Sequence, residues 1–423
     1  MAQRMKHIAF IIIIVILVLP ALQGIFKIFP SRVLEGDFIS ASKPVLTFDS
    51  WFSMDFQNKF EPYLEENLGF HNDFVRINNQ LDFSLFKKAN AEGVVVGKYG
   101  QLFETDYIME YLGRYFIGYD IIDTKARRIK FLQEHLKQEF DIDLVIILEP
   151  GKASLYPEYI PAKYNPDIRT TSNYEAYLDK FREYDIRHID FNEYYKQIKD
   201  TLRYPVFTKN GIHWSIYAMT FAADSILNYI ESVRKLEMGK AEIDKWEYTT
   251  IPQRTDNDVS KAMNLLWDPP MDTMAYPSYK FEVDDGHDRP EVLVIGDSFY
   301  WNIFNTRIPR NLFNKESFWY FYNVVYPETY FDTLYVKDLD LKSEIEKQDI
   351  VILSVTERFQ HIFDWQFIDE LYEIYAPVSM KEPLYSYQNE IISDAGWFKD
   401  IIRQSRVKDI SLGEALYNHG LYG

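Results

Sequence analysis

An alternation constrains the fold more than any other feature of the chain. Residues 143–148, 292–295 and 350–355 are short runs that are apolar on both faces of a strand. Shorter strand-like pieces lie at 186–191 and 318–325. Between them, at 125–140, 174–183, 216–236, 301–313 and 359–375, apolar residues recur at helical spacing. A strand apolar on both faces must be covered on both sides, so the pattern predicts an α/β fold: a parallel sheet with helices on both faces. Residues 241–288 are less regular and too long for an empty loop. Upstream, 33–88 read as helical and polar-aromatic. In AEGVVVGKYGQLFE, Gly97-Lys98-Tyr99-Gly100 marks a hairpin between two β-rich pieces. Residues 390–422 read as two short amphipathic helices.

Two segments carry chemistry. In EVLVIGDSFYWNIF the strand-like run ends at Gly296-Asp297-Ser298 and a helical pattern follows. A serine on a strand-to-helix turn presents its hydroxyl beside backbone N–H groups, which suits a nucleophile that forms an acyl intermediate. The bland alternative is a small helix-capping residue after a core strand. In FTKNGIHWSIYAM, His213 precedes Ser215, a good N-cap for the helix from Ile216. The positive helix end is expected to favour the neutral imidazole that a general base requires. Together the segments point to acyl transfer to or from oxygen.

Composition removes other classes. A net charge of -18 leaves no basic stripe for nucleic acid or for broad adhesion to anionic lipid. With no cysteine, thiolate catalysis, disulfides and cysteine metal sites are excluded. The acidic cluster Asp284-Asp285-Gly286-His287-Asp288 lacks the ladder and bidentate glutamate of a calcium loop and reads as a solvated turn. No metal and no cofactor are expected.

Residues 8–26 are almost wholly apolar, with Gln23 the one strongly polar side chain. As a helix they rise roughly 28 Å, the depth of a bilayer core. Arg4 and Lys6 precede the run, so the positive-inside rule places the N-terminus in the cytoplasm and the rest outside it. A cleaved signal peptide is the competing reading. It fits less well, because Ala21 is followed by Leu22, Gln23, Gly24 and further apolar residues.

Five pieces in order, GVVVGKYGQLF, IILEPGKASLYPEYIP, the His213-Trp214 segment, IGDSF and VILSVTER, resemble the SGNH-hydrolase-like periplasmic polysaccharide O-acetyltransferases, of which the alginate O-acetylation proteins are best known. The histidine precedes the serine, as is typical of that group. The resemblance implies an SGNH-type O-acyltransferase in which Ser298 is the nucleophile and His213 the general base. It also implies a polysaccharide acceptor and a polytopic membrane acyltransferase partner that supplies the acyl group. Family members place an aspartate two residues before the histidine. Here that residue is Gly211, preceded by Asn210, and the third member stays open among Asp256, Asp258, Asp284, Asp285 and Glu357.

Around the nucleophile, Gly296, Asp297 and Ser298 are the turn and oxyanion candidates. Lys152, Trp214, Tyr300 and Arg358 are the substrate-binding candidates, with Trp301 as a further ring for sugar stacking; ion pairing that holds the fold is the equal alternative for Lys152 and Arg358, and core packing the alternative for the rings. The chain divides on this reading into residues 1–30 (cytoplasmic N-terminus and transmembrane anchor), 31–92 (membrane-proximal helical region), 93–380 (SGNH-like acyltransferase domain) and 381–423 (C-terminal helical extension). Two other functions use the same residues: a carbohydrate esterase that passes the acyl group to water, and a non-catalytic polysaccharide-binding or scaffold protein with a degenerate site.

Overall fold

The structure is a computed structural model that describes residues 2–36, 41–377 and 382–422. The expected boundary at 380/381 lies outside the described residues. Among the described residues ten strands run in chain order: β1 Val94–Val96, β2 Leu102–Glu104, β3 Asp143–Glu149, β4 His188–Asp190, β5 Lys240–Thr249, β6 Met274–Glu282, β7 Val292–Gly296, β8 Glu316–Tyr320, β9 Val324–Tyr326 and β10 Ile350–Thr356.

The chain forms two compact units, Met1–Val96 with Val259–Pro270, and Gly97–Asp258 with Met271–Gly423. In the first, the helix Ala2–Phe26 contains the stretch Arg4–Phe26, whose most apolar 18 residues have a mean hydropathy of 2.9. It is the one helix among the described residues long and apolar enough to cross a membrane. The short helix Phe48–Phe52 follows, and then Asp55–Asn67 and His71–Phe86. The buried Arg76 guanidinium donates to Val33 O (2.8 Å) and Leu265 O (3.2 Å). Asn264 binds both backbone groups of Glu35, at 2.8 and 2.9 Å. The unit that holds residues 31–92 therefore takes in a segment from far downstream.

The second unit is built on a six-stranded sheet of order β4-β3-β10-β7-β8-β9, parallel except for β9. Every residue of β3, β7 and β10 is buried, as continuous apolar runs require in a sheet covered twice. Leu144, Ile146, Leu148, Leu293, Ile295, Val351, Leu353 and Val355 join one core cluster with Ile129, Leu132 and Leu136 of the helix Tyr119–Phe140 and Leu371 of Phe367–Tyr375.

Several expected elements take a different form. The single strand expected at 318–325 is a tight reversal: Phe321 and Tyr322 adopt left-handed φ of 52° and 51°, and β9 returns antiparallel to β8. No glycine or proline marks that turn. The helix expected over 359–375 begins at Phe367, because Phe363, Trp365 and Gln366 are left-handed. The helix expected over 301–313 is two, Tyr300–Phe304 and Ile308–Leu312, broken at Arg307 (φ 68°). The irregular region 241–288 contains an antiparallel ribbon of β5 and β6. The two helices expected over 390–422 are Ala395–Lys408 and Leu412–Tyr422, and a further helix, Pro383–Ser393, begins before that range.

Candidate active site

The carboxyl ends of β3, β7 and β10 meet where ligands bind in open α/β sheets. Gly296 pairs with Ser354 of β10, and a Cβ at 296 would lie 3.0 Å from Ser354 O, so this close approach of strands needs glycine. The chain then turns. Asp297 is fully buried, and its Oδ1 accepts the Phe299 N–H at 2.9 Å. Its Oδ2 accepts the Thr356 N–H at 2.8 Å and the Thr356 hydroxyl at 2.5 Å. Asp297 thus orders the turn, and Ser298 stands half-buried on top of it.

His213 arrives from the segment that caps the helix Ile216–Arg234, where Ser215 Oγ accepts the Ala218 N–H at 3.1 Å. The imidazole Nε2 lies 2.7 Å from Ser298 Oγ. Its Nδ1 is hydrogen-bonded to Asp258 Oδ2, and Asp258 Oδ1 accepts the Ile212 N–H at 3.0 Å. The carboxylate holds both the ring and the backbone beside it. Of the five open acids, Asp258 alone has this contact. Asp256 is buried at the start of the helix, taking the Ile216 N–H at 3.1 Å, and burial raises its pKa to about 7. Glu357 is buried against Ser154 and Asn192. Asp284 accepts the Gly286 N–H of its own exposed turn, and Asp285 belongs to that turn.

Gly211 cannot be the source of a carboxylate. A Cβ there would lie 2.8 Å from Thr255 O and 3.0 Å from Asp256 O. The segment that delivers Asp258 fills the space a side chain at 211 would need. Asn302 ties that segment to the others: its Nδ2 donates to Trp214 O (3.2 Å) and to Thr255 Oγ1 (2.8 Å).

The electrostatics correct one expectation. Burial disfavours the charged imidazole, but the Asp258 charge and hydrogen bond outweigh it, and the His213 pKa stands above its ordinary value. The helix end does not prevail, because a full charge in contact exceeds a partial one.

Three of the four substrate-binding candidates are enclosed. Lys152 is fully buried, and its ammonium donates to the carbonyls of Thr208 (2.7 Å), Lys209 (3.2 Å) and Gly211 (2.8 Å). It staples the loop that leads to His213. Burial lowers its pKa to about 7, with Asp258 working against that shift. Trp214 is buried and donates its indole N–H to Phe299 O at 3.2 Å. Tyr300 is buried with its ring 4.9 Å from that of Phe318. Bulky rings here fill the core beneath the turn instead of lining a cleft. Arg358 is partly exposed, paired with Glu104 and, at 3.3 Å, with Asp106. Trp301 is half-buried, 4.7 Å from the Tyr326 ring and 5.5 Å from that of Tyr320.

Sequence reasoning passed over Asn302, Thr356, Glu149 and Glu104. The one available signal was Glu149: an acid that closes an otherwise apolar strand and that burial must account for.

A hydroxyl, an imidazole and a carboxylate joined in series at the carboxyl edge of a parallel sheet is the arrangement of serine-dependent acyl chemistry. Residues 94–307 match the SGNH hydrolase-like domain of the acetyltransferase AlgX, and the chain belongs to that family. Among solved structures it is similar to the O-acetyltransferase domain of Pseudomonas putida AlgJ, at 17% identity over 67% of this chain and 99% of that one, with a TM-score of 0.42. It is also similar to Pseudomonas aeruginosa AlgX, at 12% identity over 63% of each chain and a TM-score of 0.40. A third similar structure is Bacillus cereus PatB1 with a sulfonyl adduct, at 12% identity over 65% of this chain and 99% of that one, with a TM-score of 0.40. No curated protein matches the chain.

Proposed function

We propose that this protein is a membrane-anchored O-acetyltransferase that works outside the cytoplasm on a cell-surface or exported polysaccharide. The observation that carries the reading is the 2.7 Å contact between Ser298 Oγ and His213 Nε2, with Asp258 on the far nitrogen. Residues 1–30 serve as the N-terminal anchor, 31–92 as a membrane-proximal helical region, 93–380 as the acyltransferase domain and 381–423 as its helical extension. Arg4 and Lys6 support a cytoplasmic N-terminus and an external catalytic domain.

Ser298 Oγ attacks the acyl carbonyl of the donor while its proton passes to His213 Nε2. Collapse of the tetrahedral intermediate breaks the acyl–donor bond, and the leaving group takes that proton. A sugar hydroxyl then gives its proton to Nε2 and attacks the acyl-serine, which releases the O-acetyl sugar and restores Ser298. Asp258 keeps the imidazole in the tautomer with Nδ1–H and stabilises the imidazolium. No cofactor enters the cycle. A polytopic membrane acyltransferase supplies the donor, as in the family resemblance.

The test uses the full chain in detergent micelles with an activated acetyl ester, followed by stopped-flow and intact mass. A burst with one acetyl added, absent in Ser298→Ala and His213→Ala, is expected. Faster loss of the adduct with oligosaccharides than with water alone marks the transferase; loss to water regardless of acceptor marks the esterase. A folded wild type with neither adduct nor turnover returns the non-catalytic reading, against which the hydrogen-bonded serine and histidine now weigh.

A further inference from the structure

Beneath the Ser298 turn lies a second carboxyl that the cycle above does not use. Glu149 ends β3, 1% exposed, directly opposite Thr356 in the register with β10. It is hydrogen-bonded to Asp297. Its Oε1 accepts the Ser354 hydroxyl at 2.7 Å, and its Oε2 lies 3.2 Å from Thr356 Oγ1. The same Thr356 oxygen lies 2.5 Å from Asp297 Oδ2.

Counting hydrogens shows which acid is placed to donate. The Thr356 hydroxyl has one hydrogen and two carboxyl oxygens in reach, so it serves one of them. Asp297 receives two backbone N–H groups, Phe299 on Oδ1 and Thr356 on Oδ2, so both of its oxygens act as acceptors. With the Thr356 hydrogen on Asp297, the hydroxyl that donates to Glu149 is that of Ser354. Two carboxylates in contact at this depth would carry an unbalanced buried charge, so the pair must retain a proton. The other titratable groups acting on Asp297 are Arg358 after β10, His213 before its helix, Tyr107 of the helix Thr105–Tyr111 and Tyr320 of β8.

We propose that Glu149 is a positioning residue held as the neutral acid, donating its proton to Asp297 and so fixing the carboxylate that shapes the Ser298 turn. Burial first, and then the Asp297 charge, push the Glu149 pKa well above the ordinary carboxyl range. Ser354 and Thr356 hold the acid from the neighbouring strand. The positioning part of this inference rests on the acyl-enzyme reading, whereas the protonation part does not.

Glutamine puts an N–H donor in place of the acid's O–H and keeps the C=O acceptor, with no proton to lose at these pH values. Because folding raises the Glu149 pKa, the stability it contributes is complete below the ordinary glutamate pKa and is lost as pH rises towards the folded value. The experiment compares full-length wild type, Glu149→Gln and Glu149→Ala in detergent, with Ser298→Ala as the chemical blank. The acetyl burst is read at neutral pH and the thermal midpoint from acid to alkaline pH. Glu149→Gln should burst within about threefold of wild type and gain on it in thermal midpoint as pH rises. Glu149→Ala, where folded, should burst at least about tenfold more slowly. The proposal is overturned if folded Glu149→Gln is itself about tenfold slower, or if its midpoint relative to wild type does not change with pH. If wild type bursts no more than Ser298→Ala, the acyl-enzyme reading falls, and the thermal midpoints still decide where the proton sits.

Discussion

At the scale of single residues, Asp258 and Gly211 are two sides of one arrangement. The carboxylate on His213 arrives through residues 255–258, and the backbone of those residues closes the space beside Gly211. Asp258→Asn should lower the acetyl burst about 10³- to 10⁴-fold with little change in thermal midpoint, since asparagine favours the wrong imidazole tautomer. Gly211→Asp should fail to rescue Asp258→Ala and should itself lower the midpoint, because its Cβ meets two carbonyl oxygens. Against burial, Asp258 raises the His213 pKa, and on the proposed reading the neutral imidazole is the form that acts. The acid limb of the burst rate in Asp258→Ala should therefore move to lower pH than in wild type; an unmoved limb would assign it to another group. Ser298 and His213 were legible because each sits in a local pattern, a strand-to-turn junction or a helix cap. Asp258 was one of five acids, since nothing local marks a contact across 45 residues of chain.

At the scale of elements, the loop 208–211 depends on Lys152. Three backbone carbonyls end on one buried ammonium, so Lys152→Met leaves them without their donor. A loss of about 3 kcal/mol in unfolding free energy is expected from denaturant titration, together with a slower burst because the loop positions His213. A stable, fully active Lys152→Met would disprove the staple. The sequence placed Lys152 beyond the end of a strand and left open whether it bound substrate or held the fold. The three carbonyls settle its partners, and they come from a segment more than 50 residues away. The same limit explains the reversal between β8 and β9: two aromatic residues in left-handed conformation are chosen by packing, and local propensity does not announce them.

At the scale of the whole molecule, charge sets the long-range field. A net charge of -18 repels polyanions. Discharge of the acyl-enzyme by a uronate oligosaccharide should therefore have a KM that falls as salt is added, while that for an uncharged glycan changes little. Salt-independent use of a uronate would show that the local field of the site overrides the total charge.

The sequence by itself determined the class of fold, the apolar N-terminal helix and the two segments that carry serine and histidine. Each is encoded in consecutive residues: a run apolar on both faces must lie inside a covered sheet, and a capped helical pattern begins where its cap stands. Only the tertiary structure decided which acid meets His213, which candidates are buried, and that Val259–Pro270 joins the first compact unit. Those outcomes depend on side chains distant along the chain being brought within a few ångströms, and on how packing and hydrogen bonds are shared once they meet. Trp214 illustrates the difference: a tryptophan beside a candidate general base reads as a wall for sugar until the fold places Phe191 and Phe299 against it.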